Sequence, residues 1–135
     1  MPIRYVKNRG FGEIDDNYTE GTLVNNTALT ITITVPNDEV WIYYGGYVRN
    51  GDDVMRAVQV ELLNQSNIRI MWLFPATNLD ALDSVNVSGN LSSNFIPQLP
   101  LLLKPGWKIK FFFASGGASS GGTATVCVFV EKFKV

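Results

Sequence analysis

Most acid–base and nucleophilic chemistry near neutral pH runs on histidine, cysteine or paired carboxylates. This sequence has no histidine and one cysteine, Cys127. Without histidine, His-based triads and most transition-metal sites are excluded. Cys127 lies in the apolar run Val126-Cys127-Val128, where a thiol reads as a buried, inert side chain. Acids pair at Asp15/Asp16, Asp38/Glu39, Asp52/Asp53 and Asp80/Asp83. Two carboxylates brought together can cleave a glycosidic bond or hold calcium. Here they sit beside asparagine and glycine, as turn formers do, and no EF-hand spacing occurs. The best home for a calcium ion is Asn50-Gly51-Asp52-Asp53. The stretch Gly116-Gly117-Ala118-Ser119-Ser120-Gly121-Gly122 lacks the Lys-Ser/Thr ending of a phosphate loop, so it reads as a strand connection. The expectation is a protein that is not an enzyme, with no catalytic residue, no cofactor and no metal.

The remaining chemistry is recognition through aromatic rings. Trp41, Tyr43, Tyr44 and Tyr47 share one segment. On a sheet surface such rings stack on sugars or anchor a protein interface, and some of them pack in a core under any reading. Tyr5, Phe11 and Tyr18 are scattered through a polar, glycine-containing opening, residues 1–22, which reads as an extended arm lying on a neighbour or along the edge of the domain. Two segments, Phe111-Phe112-Phe113-Ala114 and Val126-Cys127-Val128-Phe129-Val130, are apolar at successive positions and so on both faces of a strand. Such strands must be covered on both sides, and the chain has few residues left for a helical layer. The cover is expected from the arm, another subunit or a host surface. The interface candidates are therefore Tyr5, Phe11, Tyr18, Trp41, Tyr43, Tyr47, Phe112, Cys127 and Phe129.

Period-two alternation supplies the elements that position these residues. In residues 28–35, Leu29, Ile31, Ile33 and Val35 face one way and Thr30, Thr32 and Thr34 the other. Pro36-Asn37-Asp38 turns the chain into a strand over 39–49, interrupted by Gly45-Gly46, which predicts a bulge. Residues 54–63 and 67–74 form a hairpin that Pro75 ends; 76–84 holds a short helical turn, and 85–91 a short strand. The proline-flanked 99–103 suits an edge, and strands follow at 107–114 and 123–134. The spacing predicts an all-β domain: a β-sandwich or jelly roll of about seven to eight antiparallel strands over 23–135, preceded by the arm 1–22.

Charge narrows the partners. A net charge of −1 lacks the basic excess of a nucleic-acid binder. Residues 1–9 carry Arg4, Lys7 and Arg9 and no acid, and residues 10–103 hold eleven acids against three arginines. From 104 onward five lysines face one acid, Glu131. Regions of opposite sign favour contacts between copies. The opening Met-Pro-Ile-Arg-Tyr-Val-Lys-Asn has no apolar run of a signal peptide, and no stretch approaches the ~20 apolar residues of a membrane helix. Synthesis in a cytoplasm and no membrane partner are the expectation, and the Asn-x-Ser/Thr triplets at 17, 25, 64, 86 and 90 read as compositional.

Val35-Pro36-Asn37-Asp38-Glu39-Val40-Trp41-Ile42-Tyr43 resembles the strand opening of small β-sandwich virion proteins of tailed phages. Leu101-Leu102-Leu103-Lys104-Pro105-Gly106-Trp107-Lys108-Ile109, with Gly121-Gly122-Thr123-Ala124, is similar to their C-terminal strand pair. The resemblance spans roughly residues 30–134. It implies a virion structural protein, foremost a head decoration (cement) protein that binds the shell as an oligomer, with a trimer favoured. Its partners would be itself and the major capsid protein or another virion protein. A phage tail or adaptor component is the alternative within the virion, and a carbohydrate-binding module with a glycan partner is the alternative outside it.

Overall fold

The computed structural model describes residues 13–87 and 100–135, with the backbone alone for 13–16. Nine strands and no helix occur among the described residues: β1 (Glu13–Leu23), β2 (Leu29–Thr34), β3 (Glu39–Gly51), β4 (Arg56–Leu63), β5 (Arg69–Leu79), β6 (Ser84–Asn86), β7 (Leu101–Leu103), β8 (Lys108–Phe113) and β9 (Gly122–Lys134). They form two antiparallel sheets. One has the order β1-β9-β3, with β6 and β7 both paired to the far side of β3. The other runs β2-β8-β4-β5.

Alternation decides what goes between the sheets. β2 turns Ile31 and Ile33 inward and its threonines outward. β8 does the same with Ile109, Phe111 and Phe113, and β4 with Val58, Val60 and Leu62. From the facing sheet come Trp41, Tyr43 and Val48 of β3 and Ala124, Val126, Val128 and Val130 of β9. Fully burying a side chain of this size contributes about 1.5–3 kcal/mol, so this layer dominates the stability of the fold.

The predicted bulge is present, and it changes the phase of β3. The pairing with β9 slips between Tyr43 and Gly46. Before the slip Trp41 and Tyr43 point inward; after it Val48 and Asn50 do, and Tyr47 turns to the outer side. Both glycines are required. Gly45 has φ +121°, which side-chain-bearing residues rarely adopt, and a Cβ on Gly46 would run into the Cys127 carbonyl.

Four expectations need correction. From Glu13 the supposed arm is a strand, paired with β9 over eleven positions, while Tyr5 and Phe11 lie outside the described residues. Pro75 does not end β5: the strand is at a sheet edge, where a missing N–H costs nothing, and the register with β4 slips around that position. Residues 77–79 therefore extend β5, and the expected helical turn shrinks to a turn in which the Asp83 N–H donates to the Asp80 carbonyl. Finally, β8 is not apolar on both faces, because its outer positions are Lys108, Lys110 and Phe112.

Candidate functional site: the outer face of the five-stranded sheet

The acidic loop proposed for calcium binds an internal cation instead. Asp52, Arg56 and Asn50 are all buried. Arg56 Nε donates to Asp52 Oδ2 at 2.8 Å. Its Nη1 donates to the carbonyls of Thr27 and Ala114, each at 2.9 Å, and its Nη2 to that of Val24 at 2.8 Å. The same carboxylate accepts the Ser119 hydroxyl and the Asp53 N–H. Burial alone would raise the Asp52 pKa, but the bonds from Ser119, Arg56 and Asp53 outweigh it and hold the group well below the usual carboxylate range. A carboxylate saturated in this way has no lone pair left for calcium. No cluster of three His, Cys, Asp or Glu suited to a metal occurs among the described residues. Asn50 completes the joint, donating through Nδ2 to the carbonyls of Val54 and Leu79 at 2.9 and 3.0 Å. Sequence reasoning missed Arg56; its one signal was a lone arginine four residues after an acid in a turn.

The other pairs are structural as well. Asp38 and Glu39 both meet Lys134, at 2.9 and 3.1 Å. The glycine-rich stretch is the β8–β9 connection, and its Ser119 and Ser120 bond to Asp52 and Asp53.

The aromatic candidates divide sharply. Trp41 and Tyr43 are 3% and 0% exposed and belong to the core, so neither offers a ring to a sugar or a partner. Trp41 Nε1 donates to Glu39 Oε1 at 2.7 Å, and the Tyr43 hydroxyl donates to the Val87 carbonyl. Burial pushes the Tyr43 phenol well above its ordinary value. Cys127 is buried too, on the outer side of β9, between its cross-strand neighbours Tyr18 and Tyr47. Phe112 is half-buried on the outer face of the other sheet, opposite Thr30 and Gln59.

Tyr18 and Phe129 are exposed, and the pairing brings them to one surface with residues that the sequence did not single out. Tyr18 (54% exposed), Phe129 (44%), Tyr44 (48%) and Leu102 (56%) all stand on the outer side of the five-stranded sheet. One cross-strand row runs Tyr18, Cys127, Tyr47, and another runs Glu131, Ile42, Leu102, with Phe129 between the rows on β9. The hydroxyls are tied down: Tyr18 donates to Glu20 at 2.9 Å and Tyr44 to Glu131 at 2.8 Å. That bond to Glu131 raises the Tyr44 pKa. The rings are thus presented on a pre-ordered backbone, which lowers the entropic cost of burying them against a partner. Tyr44 and Leu102 escaped notice because their outward position depends on the bulge and on the β3–β7 pairing.

No protein-family model matches the chain, and no curated protein matches it in sequence. Among solved structures, it is similar to a chain of the infectious bursal disease virus Gt strain at 11% identity and a TM-score of 0.40, over 92% of this chain and 32% of that one. It is also similar to the Drosophila NLP core, a structure described as bearing on pentamer formation and histone binding, at 13% identity and a TM-score of 0.36, over 87% and 98%. A third is the STIV MCP, at 14% identity and a TM-score of 0.33, over 91% of this chain and 49% of that one. The chain spans about a third of the first of these.

Proposed function

We propose that this chain is a non-catalytic virion structural subunit, a shell decoration protein that works by burying surface, and that it associates with copies of itself as a trimer. The observation that carries the assembly role is the outer face of the five-stranded sheet. Tyr18, Tyr44, Leu102 and Phe129 lie half-exposed on paired strands, where a monomer in water would gain from polar residues. Aromatic anchors on a rigid surface are what protein interfaces bury at their centres. The virion setting rests on the turn-and-strand resemblance of residues 35–43 and 101–109. The carbohydrate reading has lost Trp41 and Tyr43 to the core.

Size-exclusion chromatography with light scattering tests the self-association, with a trimer as the expected result. A monomer at high micromolar concentration would overturn it. Co-sedimentation with shells assembled from a tailed-phage major capsid protein tests the virion role. Phe129→Lys should lose both associations without unfolding the domain.

A further inference from the structure

The edge of β1 is open in a way that the other edges are not. β1 pairs with β9 over eleven consecutive positions with no register slip, and no strand lies on its other side among the described residues. The other long edge strand, β5, is blunted by Pro75 and by three breaks in its pairing. The third, β2, has only six residues. An unbroken row of free backbone donors and acceptors is a template for one more strand, and proteins usually disrupt such edges.

The sequence of β1 says which strand it would accept. It carries Glu13, Asp15, Asp16 and Glu20 and no lysine, arginine or proline. Two β1 edges would repel each other, since like charges in register destabilise a pair. A basic segment would be drawn in. Residues 1–12 hold Arg4, Lys7 and Arg9 and no acid, whereas 88–99, the other segment outside the described residues, has no charge at all.

We propose that the open edge of β1 receives residues 3–9 of a second copy as an added antiparallel or parallel strand, so that basic N-terminal segments link the subunits. This rests on the self-associating subunit proposed above and names a contact distinct from the aromatic face. A second copy is favoured over the chain's own segment because a direct return would have to turn through Gly10-Phe11-Gly12. Such a return places a phenylalanine at the tip, where Asn, Asp or Gly is normal.

Two full-length charge-swapped chains test the linkage. One carries Arg4→Glu, Lys7→Glu and Arg9→Glu; the other carries Glu13→Lys, Asp15→Lys and Asp16→Lys. Each alone should run as a monomer in light scattering, with circular dichroism and melting temperature reporting the fold. Mixed one to one, they should regain assembly, and native mass spectrometry should show both chains in each particle. Should the β1 variant fail to fold, the N-terminal variant mixed with wild type serves, because its intact β1 can accept a wild-type segment. Wild-type assembly should also weaken roughly tenfold between low and high salt, as screening predicts. If the N-terminal variant assembles as wild type does, the linkage is wrong while the aromatic interface stands. Swapped chains that stay monomeric on mixing, with restoration only when both swaps are in one chain, would also overturn it in favour of the chain's own segment. A wild-type monomer removes both readings.

Discussion

The two outer faces of this sandwich follow the same alternation rule and present opposite surfaces. On the four-stranded sheet, β2 exposes Thr30, Thr32 and Thr34, and β8 and β4 add Lys108, Lys110, Gln59 and Glu61. The large rings there are dressed. Trp72 lies under the Arg69 guanidinium at 4.3 Å, and Glu61 draws in Arg69 and Lys110 at 3.5 and 3.9 Å. On the five-stranded sheet, the outward positions of β1, β3, β7 and β9 include Tyr18, Tyr44, Leu102 and Phe129, with Cys127 buried among them. Scattered exposed apolar residues are ordinary, but a contiguous group of aromatics on one sheet asks for a partner. One face is finished by water and ion pairs, and the other by a protein.

The largest expected effect tests whether both faces depend on one joint. Arg56 comes from the four-stranded sheet and Asp52 from the loop that ends β3, so their ion pair ties the layers together. Arg56→Ala leaves a buried carboxylate without its charge partner and should cost about 3–5 kcal/mol in chemical denaturation. The two faces should then unfold in a single transition. Separate transitions for tryptophans 41 and 72, read by fluorescence of single-tryptophan chains, would break that picture.

Acid should act on the same joint. The pKa of Asp52 is lower in the folded chain than the roughly 3.9 of an unfolded aspartate, so the folded state favours the ionised form. Its contribution is fully present above about pH 5 and is lost as pH falls below about 4 toward the depressed value. A melting temperature followed from pH 7 to pH 2 should fall in that window. Asp52→Asn should flatten the part of the fall that belongs to this group.

A paired substitution sharpens the comparison of faces directly. Phe129→Lys should weaken self-association at least tenfold, which corresponds to about 1.4 kcal/mol, while shifting monomer stability by no more than about 0.5 kcal/mol. Phe112→Lys on the opposite face should leave association as it is. Equal effects at both positions would mean that the faces are not functionally distinct. Tyr44→Phe should have the smallest effect, removing only the hydrogen bond to Glu131 from an exposed ring. Stability should change by about 0.5 kcal/mol or less, and the raised phenol titration should vanish from the ultraviolet spectrum.

Much of the architecture was legible because alternation is a local property. Leu29, Ile31 and Ile33 against Thr30, Thr32 and Thr34 define β2 and its buried side without any knowledge of the rest of the chain. The bulge at Gly45-Gly46 was legible for the same reason, since paired glycines inside an aromatic strand have few other uses. Its consequence was not. Whether Tyr47 faces in or out depends on how many residues the bulge inserts against β9, and that number is set by the partner strand. The error over Trp41 and Tyr43 has the same origin, because an aromatic strand shows period two but does not show which phase is inward.

By itself, the sequence determined an all-β chain in two minds about its surface: apolar in alternation, poor in charge, and without histidine. Those are properties of residue type and spacing, fixed before any contact forms. The tertiary structure decided three further things. It placed Arg56 against Asp52, turning an apparent cation site into a closed ion pair. It gathered Tyr18, Tyr44, Leu102 and Phe129 from four strands onto one face. It also left β1 at an edge with its far side open among the described residues. Each depends on strands distant in sequence becoming neighbours, and strand order is a long-range property that local pattern does not encode.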